Sequence, residues 1–158
     1  KKNNIMKPIK RHQALKPLSR EHHEGLLLSW KIRTGLKKEV SIERIKNYCD
    51  FFFKEDLIHH FNMEELHVFT ILEPDDELVK RALTDHRKLK RLFMKKQPDM
   101  KTIIAIEEEL EKHIRFEERV LFNKIQEVAS EKELLNIEKF HNSSSSGVVE
   151  GWDDNFWE

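Results

Sequence analysis

The sequence is poor in the residues that define several classes of protein. One cysteine, Cys49, stands among 158 residues, so the chain can form neither an internal disulfide nor a zinc site built on several thiolates. Only four glycines and four prolines interrupt a chain rich in leucine, glutamate and lysine, which favours helices. No apolar run approaches the roughly 18 residues of a membrane span, or the apolar core of a secretory signal. These absences predict an all-α, cytoplasmic protein that does not enter a membrane.

Charged residues are abundant, but neither sign is in excess. The 29 basic and 29 acidic side chains cancel, and no basic stripe is segregated, so we do not expect nucleic acid as a partner. The sequence also lacks a Ser/His/Asp arrangement and a phosphate-binding loop, which makes an enzyme the less favoured class. A chain of this length buries a core of its own, so a bound metal would serve chemistry rather than hold the fold together.

Capping and helix-breaking residues predict four long helices. Serine or aspartate at a helix start accepts hydrogen bonds from free backbone N–H groups, and glycine or proline ends a helix. The predicted helices run from Ser19 to about Leu36, from Ser41 to Glu73-Pro74, from Asp75-Asp76 to Gln97-Pro98, and from Asp99 to about Val128. Together they predict a four-helix bundle.

A short fifth helix is predicted after the bundle. Ser130 and Glu133 match the S-x-x-E capping box, which predicts a helix to about Phe140. At the other end of the chain, residues 1–14 are basic and irregular, and we interpret them as an arm outside the bundle.

The last residues differ in composition from the rest of the chain. We assign residues 1–141 to the helical domain and residues 142–158 to a Ser/Gly linker followed by an acidic, aromatic tail. The tail is expected to pack on the bundle, or to bind a protein partner or a second copy of the chain, through Trp152, Phe156 and Trp157.

Helical periodicity places histidine and glutamate pairs on apolar faces. On the fourth helix, steps of three and four residues join Ile103, Ile106, Leu110, His113, Glu117 and Val120. On the second helix, the buried stripe consists of Ile45, Cys49, Phe52, His60, Glu64, Val68 and Ile71. Each helix therefore carries a histidine and a glutamate, four residues apart, that point into the core.

The third and first helices each add an inward histidine. The third helix has the stripe Val79, Ala82, His86, Leu89 and Phe93, and the first has Leu15, Leu18, His22 and Leu26. On the first helix His23 is an equally good candidate by spacing, because it precedes Leu26, Leu27 and Trp30 by three, four and seven residues.

So much buried polarity requires a compensating partner. An unpaired carboxylate in an apolar core costs several kcal/mol, and an unsatisfied polar group costs about 1–3 kcal/mol. A lone inward histidine is more often a hydrogen-bonded core residue than a ligand, but inward histidines on four helices with two glutamates favour a metal site. Mixed nitrogen and oxygen donors suit iron or manganese. We expect His12, His59 and His141 to be solvated, and His67 is a weaker candidate for a role near the site.

The motifs "LSREHHEGL", "HFNMEE", "DHRKL" and "HIRFEERVLF" resemble those of the hemerythrin-like HHE cation-binding domains, over roughly residues 12–128. The resemblance implies an up-down-up-down four-helix bundle around a non-haem di-iron centre. The implied ligands are His22 or His23, His60, Glu64, His86, His113 and Glu117, with the two glutamates bridging the metals. The Glu21-His22 pair matches the family pattern and favours His22 over His23.

One departure from the oxygen-carrying members bears on function. They have H-x-x-x-H on the third helix, whereas Lys90 stands four residues after His86. The resemblance therefore implies a di-iron protein that binds or senses oxygen or nitric oxide, or handles iron under oxidative stress, rather than an oxygen carrier. Manganese and zinc are the alternative metals. The alternative function is a metal-dependent regulatory or interaction module without gas binding.

Overall fold

The structure, a computed structural model, describes residues 9–143 and 151–158. Within this part of the chain there are helices and no β-strand, so the predicted all-α class is confirmed. Five helices follow a 3₁₀ turn: α1 (Lys16–Lys37), α2 (residues 42–71), α3 (Glu77–Phe93), α4 (residues 100–128) and α5 (Glu131–Ser143). None of the helices in the described ranges is both long and apolar enough to cross a bilayer.

Most predicted helix starts are confirmed by the capping hydrogen bonds. Ser41 Oγ accepts from Arg44 N at 3.3 Å, and the carboxylates of Asp76 and Asp99 each accept a backbone N–H at 2.8 Å. At the start of α5 the capping box is reciprocal: Ser130 N donates to Glu133 Oε1 at 2.9 Å, and Glu133 N donates to Ser130 Oγ at 3.1 Å.

Two predicted boundaries of helices are wrong. The first helix begins at Lys16 rather than after Ser19, because Pro17 is well suited to the first helical turn and Leu15 anchors the start in the core. Ser19 Oγ instead donates to Glu118 at 2.7 Å. The third helix ends at Phe93, before Gln97, and its backbone closes with Met94 N on Lys90 O at 2.9 Å.

The predicted arm is only partly described, since residues 1–8 lie outside the described residues. Residues that follow them pack on the helices rather than extending away from them. Arg11 donates to the backbone of Glu118 and to Gln126 at 2.8 Å each, and Ala14 is fully buried.

Three π-helical segments interrupt the two helices that carry the histidine–glutamate pairs. Phe53–Leu57 and Glu64–Val68 lie in α2, and Glu117–Leu121 lies in α4. A π turn contains one residue more than an α turn, so the helix face rotates beyond it. Val120, predicted to point inward, is consequently 43% exposed, and Leu121 is fully buried in its place.

The core consists of two apolar clusters, and the buried histidines and glutamates lie between them. One includes Leu18, Leu121 and Phe122, and the other includes Phe61 and Leu110. Burial of each such side chain contributes about 1.5–3 kcal/mol, so the clusters supply a large share of the stability of the fold. They also shield the residues between them from water.

Helices α1 and α4 approach each other closely beside the centre. Gly25 permits this approach, because a Cβ at that position would lie 2.5 Å from Ile114 Cδ1. The small residue thereby brings the His22 turn of α1 against α4.

The described part of the tail packs on α1 and α2. Phe156 is buried against Gly35, where a Cβ would lie 2.7 Å from its ring, and the Tyr48 ring contacts Trp152 and Phe156. Arg44 Nε donates to Asp154 at 2.9 Å at the edge of this contact. The described part of the tail therefore packs on the helices, which is the first of the predicted alternatives. Most of the predicted Ser/Gly linker lies outside the described residues.

Candidate metal centre

Six of the predicted site residues come together between the four long helices. They form two overlapping groups whose potential ligand atoms lie within 4.8 Å of one another: His22, His60, Glu64 and Glu117 in one, and Glu64, His86, His113 and Glu117 in the other. All six side chains are buried. Each of the four long helices supplies one histidine, and the two glutamates belong to both groups.

Each of the two glutamates directs one carboxylate oxygen toward the histidines of one group and the other oxygen toward the histidines of the second group. Glu64 Oε2 lies 3.1 Å from His60 Nε2, and Glu64 Oε1 lies 3.1 Å from His86 Nε2. Glu117 repeats the arrangement, with Oε1 at 2.7 Å from His22 Nε2 and Oε2 at 3.1 Å from His113 Nε2. Each carboxylate thus spans the gap between the groups, as a ligand that bridges two ions would.

Several of these atoms are buried without a hydrogen bond. The atoms are His60 Nε2, His86 Nε2, His113 Nε2, both carboxylate oxygens of Glu64, and Glu117 Oε2. Although some lie only 3.1 Å apart, their geometry is not that of hydrogen bonds. A buried polar atom without a partner costs about 1–3 kcal/mol, so the cluster is a costly arrangement for a purely structural core. Cations coordinated by these nitrogen and oxygen atoms would satisfy them, and the donor set fits a metal centre.

The glutamates that face the centre are also the first residues of π segments, Glu64–Val68 in α2 and Glu117–Leu121 in α4. Glu64 points into the centre while Glu65 reaches His86 from outside, and the same division separates Glu117 from Glu118. Such π segments are frequent at functional sites.

A second layer of carboxylates contacts the outer nitrogen, Nδ1, of each of the four buried histidines. His22 Nδ1 contacts Glu118 at 2.6 Å, and His60 Nδ1 contacts Glu21 at 2.7 Å. His86 Nδ1 contacts Glu65 at 2.6 Å, and His113 Nδ1 contacts Asp85 at 3.0 Å. An ionised carboxylate only accepts, so Nδ1 carries the hydrogen and Nε2 is directed to the centre. This is the arrangement by which outer carboxylates orient metal-binding histidines.

These contacts form a closed ring in chain order. The acid on α1 holds the histidine of α2, that on α2 holds the histidine of α3, and that on α3 holds the histidine of α4. The acid on α4 returns to the histidine of α1. The sequence analysis did not identify these four acids. The signal was present, since each stands directly beside a predicted ligand in the sequence: Glu21, Glu65, Asp85 and Glu118.

The comparison with protein families agrees with this geometry. The family model for the hemerythrin HHE cation binding domain matches residues 12–125, which include all six buried ligand candidates. The chain belongs to the hemerythrin HHE cation-binding domain family. No curated protein and no solved structure matched the chain significantly.

The hemerythrin-family ligand on α1 was left open by helical spacing, and the structure separates the two candidates. His22 is buried in the centre, whereas His23 is exposed and lies outside both groups. Trp30, which would face the core if His23 did, is 47% exposed. The face that carries Leu18 and His22 is therefore the one turned toward the core.

The remaining histidines occupy varied surroundings in this hemerythrin-family domain. His59 is exposed, as predicted. His12 is half-buried and caps the first turn, with its Nδ1 accepting from Ala14 N at 3.0 Å, so its predicted solvation is only partial. His67 stacks on Phe140 at 4.0 Å between ring centres and belongs to neither ligand group. The expectation for His141 is wrong, because its Nε2 donates to Glu21 at 2.9 Å and the side chain is only 16% exposed.

Lys90 stands four residues after His86 on α3. Its Nζ lies 3.9 Å from Glu65 Oε2, the same carboxylate oxygen that accepts from His86. Lys90 therefore adds a positive charge beside the outer carboxylate and contributes no donor to the centre.

The buried histidines and glutamates shift one another's pKa values in opposite directions. Burial by itself lowers the pKa of His22, but hydrogen bonds to Glu117 and Glu118 outweigh burial and raise it well above its usual value. Conversely, burial by itself raises the pKa of Glu117, yet His113 and the neighbouring hydrogen bonds lower it well below the ordinary range. Cations would displace protons from the histidines, because a metal binds the neutral imidazole and the ionised carboxylate.

Proposed function

We propose that this domain binds two iron ions, bridged by Glu64 and Glu117, in an up-down-up-down bundle formed by α1 to α4. The observation that carries the proposal is the overlap of the two ligand groups, which share both glutamates and no histidine. Each of the two ions would be held by two histidines and by one oxygen from each glutamate. The absence of thiolate donors and the balance of nitrogen and oxygen favour iron over softer metals, with manganese and zinc as the alternatives.

We propose further that the centre binds or senses dioxygen or nitric oxide, or handles iron under oxidative stress. Iron held by only four protein donors would keep coordination positions open and would supply redox chemistry for a small ligand. Apolar rings lie beside two of the histidines: Phe61 stacks on the His86 ring at 3.9 Å between centroids, and Phe122 stacks on the His22 ring at 5.1 Å. Such surroundings suit a small uncharged molecule better than a charged one.

The first experiment is elemental analysis of the full chain purified without chelator. We expect about two irons per chain. The Glu64→Ala variant should lose most of the metal, whereas His59→Ala, which removes an exposed histidine from the same helix, should retain it. A protein that retains its fold and binds no metal, or binds one ion at a site insensitive to Glu64, would contradict the dinuclear centre.

The second experiment tests the small ligand. Optical spectra of the reduced, iron-loaded protein are recorded before and after addition of oxygen or nitric oxide. New absorption bands are expected for the wild-type chain and should be absent from the metal-free chain. Spectra that do not change, with two irons bound, would exclude gas binding and favour a metal-dependent module of another kind.

A further inference from the structure

The carboxyl-terminal end of α5 contacts the outer layer of the metal centre. His141 Nε2 donates to Glu21 Oε2 at 2.9 Å, while Glu21 Oε1 accepts from His60 Nδ1 at 2.7 Å. One carboxylate therefore joins α5 to a histidine of the centre. The residue before His141, Phe140, stacks on His67 of α2, and this second contact fixes the same end of α5.

The four outer carboxylates differ in what holds them. Glu118, which serves His22, accepts from Ser19 at 2.7 Å and lies 3.4 Å from Arg11. The Glu21 side chain is 13% exposed, whereas Glu65, Asp85 and Glu118 are 24–29% exposed. In the described part of the chain, Asp85 has its ion pair with His113 and no other.

This difference follows the division into two ligand groups. The outer carboxylates of His22 and His60, which are Glu118 and Glu21, are also contacted from outside the four long helices, by Arg11 and His141. Among the described residues, the outer carboxylate of His86 is contacted instead by Lys90 of α3, and that of His113 has no second ion pair. The two metal positions therefore have different surroundings, although their ligands are of the same types.

We propose that His141 is a positioning residue that acts through Glu21 on His60, so that α5 adjusts the metal position formed by His22 and His60. The inference rests on the proposed dinuclear centre. The hydrogen bond from His141 fixes the rotamer of Glu21, and Glu21 in turn fixes the ring of His60 and the strength with which its Nε2 binds a cation. Displacement of α5 would weaken one metal position and leave the other unchanged.

Cobalt(II) is a suitable probe, because each imidazole bound through Nε2 keeps an Nδ1–H whose NMR resonance is shifted by the ion. The wild-type chain should take up two cobalt ions and show one shifted N–H signal for each of the four histidines. Glu21→Gln identifies the His60 signal directly, since it replaces the carboxylate that accepts this hydrogen.

The decisive variants are His141→Ala and His141→Gln, with His59→Ala as the matched control. Loss of an outer partner typically weakens metal binding about 10–100-fold, and His141 lies one contact further out, so we expect about three- to tenfold for one of the two ions. Only the His60 signal should move. His141→Gln should restore both, because its amide N–H can donate to Glu21. Thermal unfolding of the metal-free variants checks that the fold is retained.

Three results would overturn the inference. His141→Ala could leave both affinities and all four signals as in the wild type, it could shift the four signals together, or the effect could persist in His141→Gln. If the wild-type chain itself bound no cobalt, the proposed dinuclear centre would fail and the inference with it, so this failure is distinct from the other three.

Discussion

His22 on α1 and Glu117 on α4 lie 95 residues apart in the sequence, and His22 Nε2 approaches Glu117 Oε1 at 2.7 Å. Both side chains are buried, and Glu117 also reaches His113. A single carboxylate thus connects the first and the last of the four long helices through the centre. Its removal is expected to affect both the metal content and the stability.

We expect Glu117→Ala to reduce the metal content from the proposed two ions per chain to one or fewer, because Glu117 belongs to both ligand groups. The metal-free variant should also lose about 3–5 kcal/mol of unfolding free energy, since the protonated histidines are left without their counter-charge. Elemental analysis and urea unfolding in chelator measure the two effects. Glu127→Ala, at an exposed position of the same helix, is the control, and equal losses in both variants would contradict a specific role for Glu117.

The two adjacent histidines of α1 should respond differently to substitution. His22→Ala is expected to strip metal from the protein, whereas His23→Ala should leave metal content and stability close to those of the wild type. The reason is that His22 lies in the centre and His23 is exposed. Metal analysis of both variants decides the register of α1, and retention of two ions by His22→Ala would show that this assignment is wrong.

Stability of the metal-free protein should fall as the pH rises through the neutral range. Burial by itself lowers the pKa of His60, but Glu64 and Glu21 outweigh burial and raise it to about 9. A pKa raised in the folded state gives stability that is complete below the ordinary value of 6.5 and is lost as the pH rises through about 9. Urea unfolding in chelator at a series of pH values measures the loss.

Metal binding should have the opposite pH dependence, because the cation must displace the proton from His60. The apparent affinity is expected to increase up to a pH of about 9, and calorimetry in buffers of different ionisation enthalpy should detect proton release. In the variant His60→Gln both pH dependences should become shallower, and a part of each should remain because the pKa of His22 is also raised. Affinity independent of pH in the wild type would be inconsistent with protonated histidines in the metal-free centre.

Asp56 should destabilise the protein once its carboxyl group is ionised. Burial and the nearby charge of Glu21 raise the pKa of this carboxyl group to about 7, so its ionisation in the folded state is unfavourable. For an acid whose folded pKa is raised, stability falls as the pH rises from the ordinary value through about 7. Asp56→Asn should therefore gain about 1 kcal/mol or more above neutral pH, since each unit of pKa corresponds to about 1.4 kcal/mol. The exposed neighbour Glu55→Gln should show no such gain in urea unfolding.

The aromatic tail should stabilise the helices without taking part in metal binding. Phe156→Ala removes a ring that is 2% exposed, and a cost of about 3 kcal/mol is expected from core substitutions of this kind. Asp154→Ala removes an exposed ion pair with Arg44 and should destabilise the protein much less than Phe156→Ala, because exposed ion pairs contribute little to stability. Thermal unfolding ranks the two variants, and both should retain the metal content of the wild type. Equal and small effects would show that the tail contributes little.

The sequence predicts the helices and the inward histidines well because both depend on local rules. Caps such as Ser41 and Asp99 act within one turn, and the apolar stripe that carries His86 repeats at the helical period. The stripe on α4 was predicted correctly up to Glu117 and wrongly at Val120. The error has a specific cause: periodicity assumes an unbroken α-helix, and the π segment that starts at Glu117 changes the register.

Contacts between distant helices were beyond the reach of periodicity. His141 was expected to be solvated because the sequence does not show how α5 folds back over α1, where it meets Glu21. The outer acids were missed for the same reason. Glu65 and Asp85 look like ordinary surface charges on amphipathic helices, and only the packing of the helices shows that each holds a histidine on the next one.

The ring of acid–histidine pairs also determines when the centre can be completed during synthesis. In three of the acid–histidine pairs the two residues are separated by 21, 28 and 39 positions in the sequence, whereas His22 and Glu118 are 96 positions apart. A nascent chain that ends before Glu117 has His22 without its outer acid and lacks the second glutamate shared by the two ligand groups. If the proposed dinuclear centre forms, we therefore expect both metal positions to be completed only after the last of the four long helices has been synthesised.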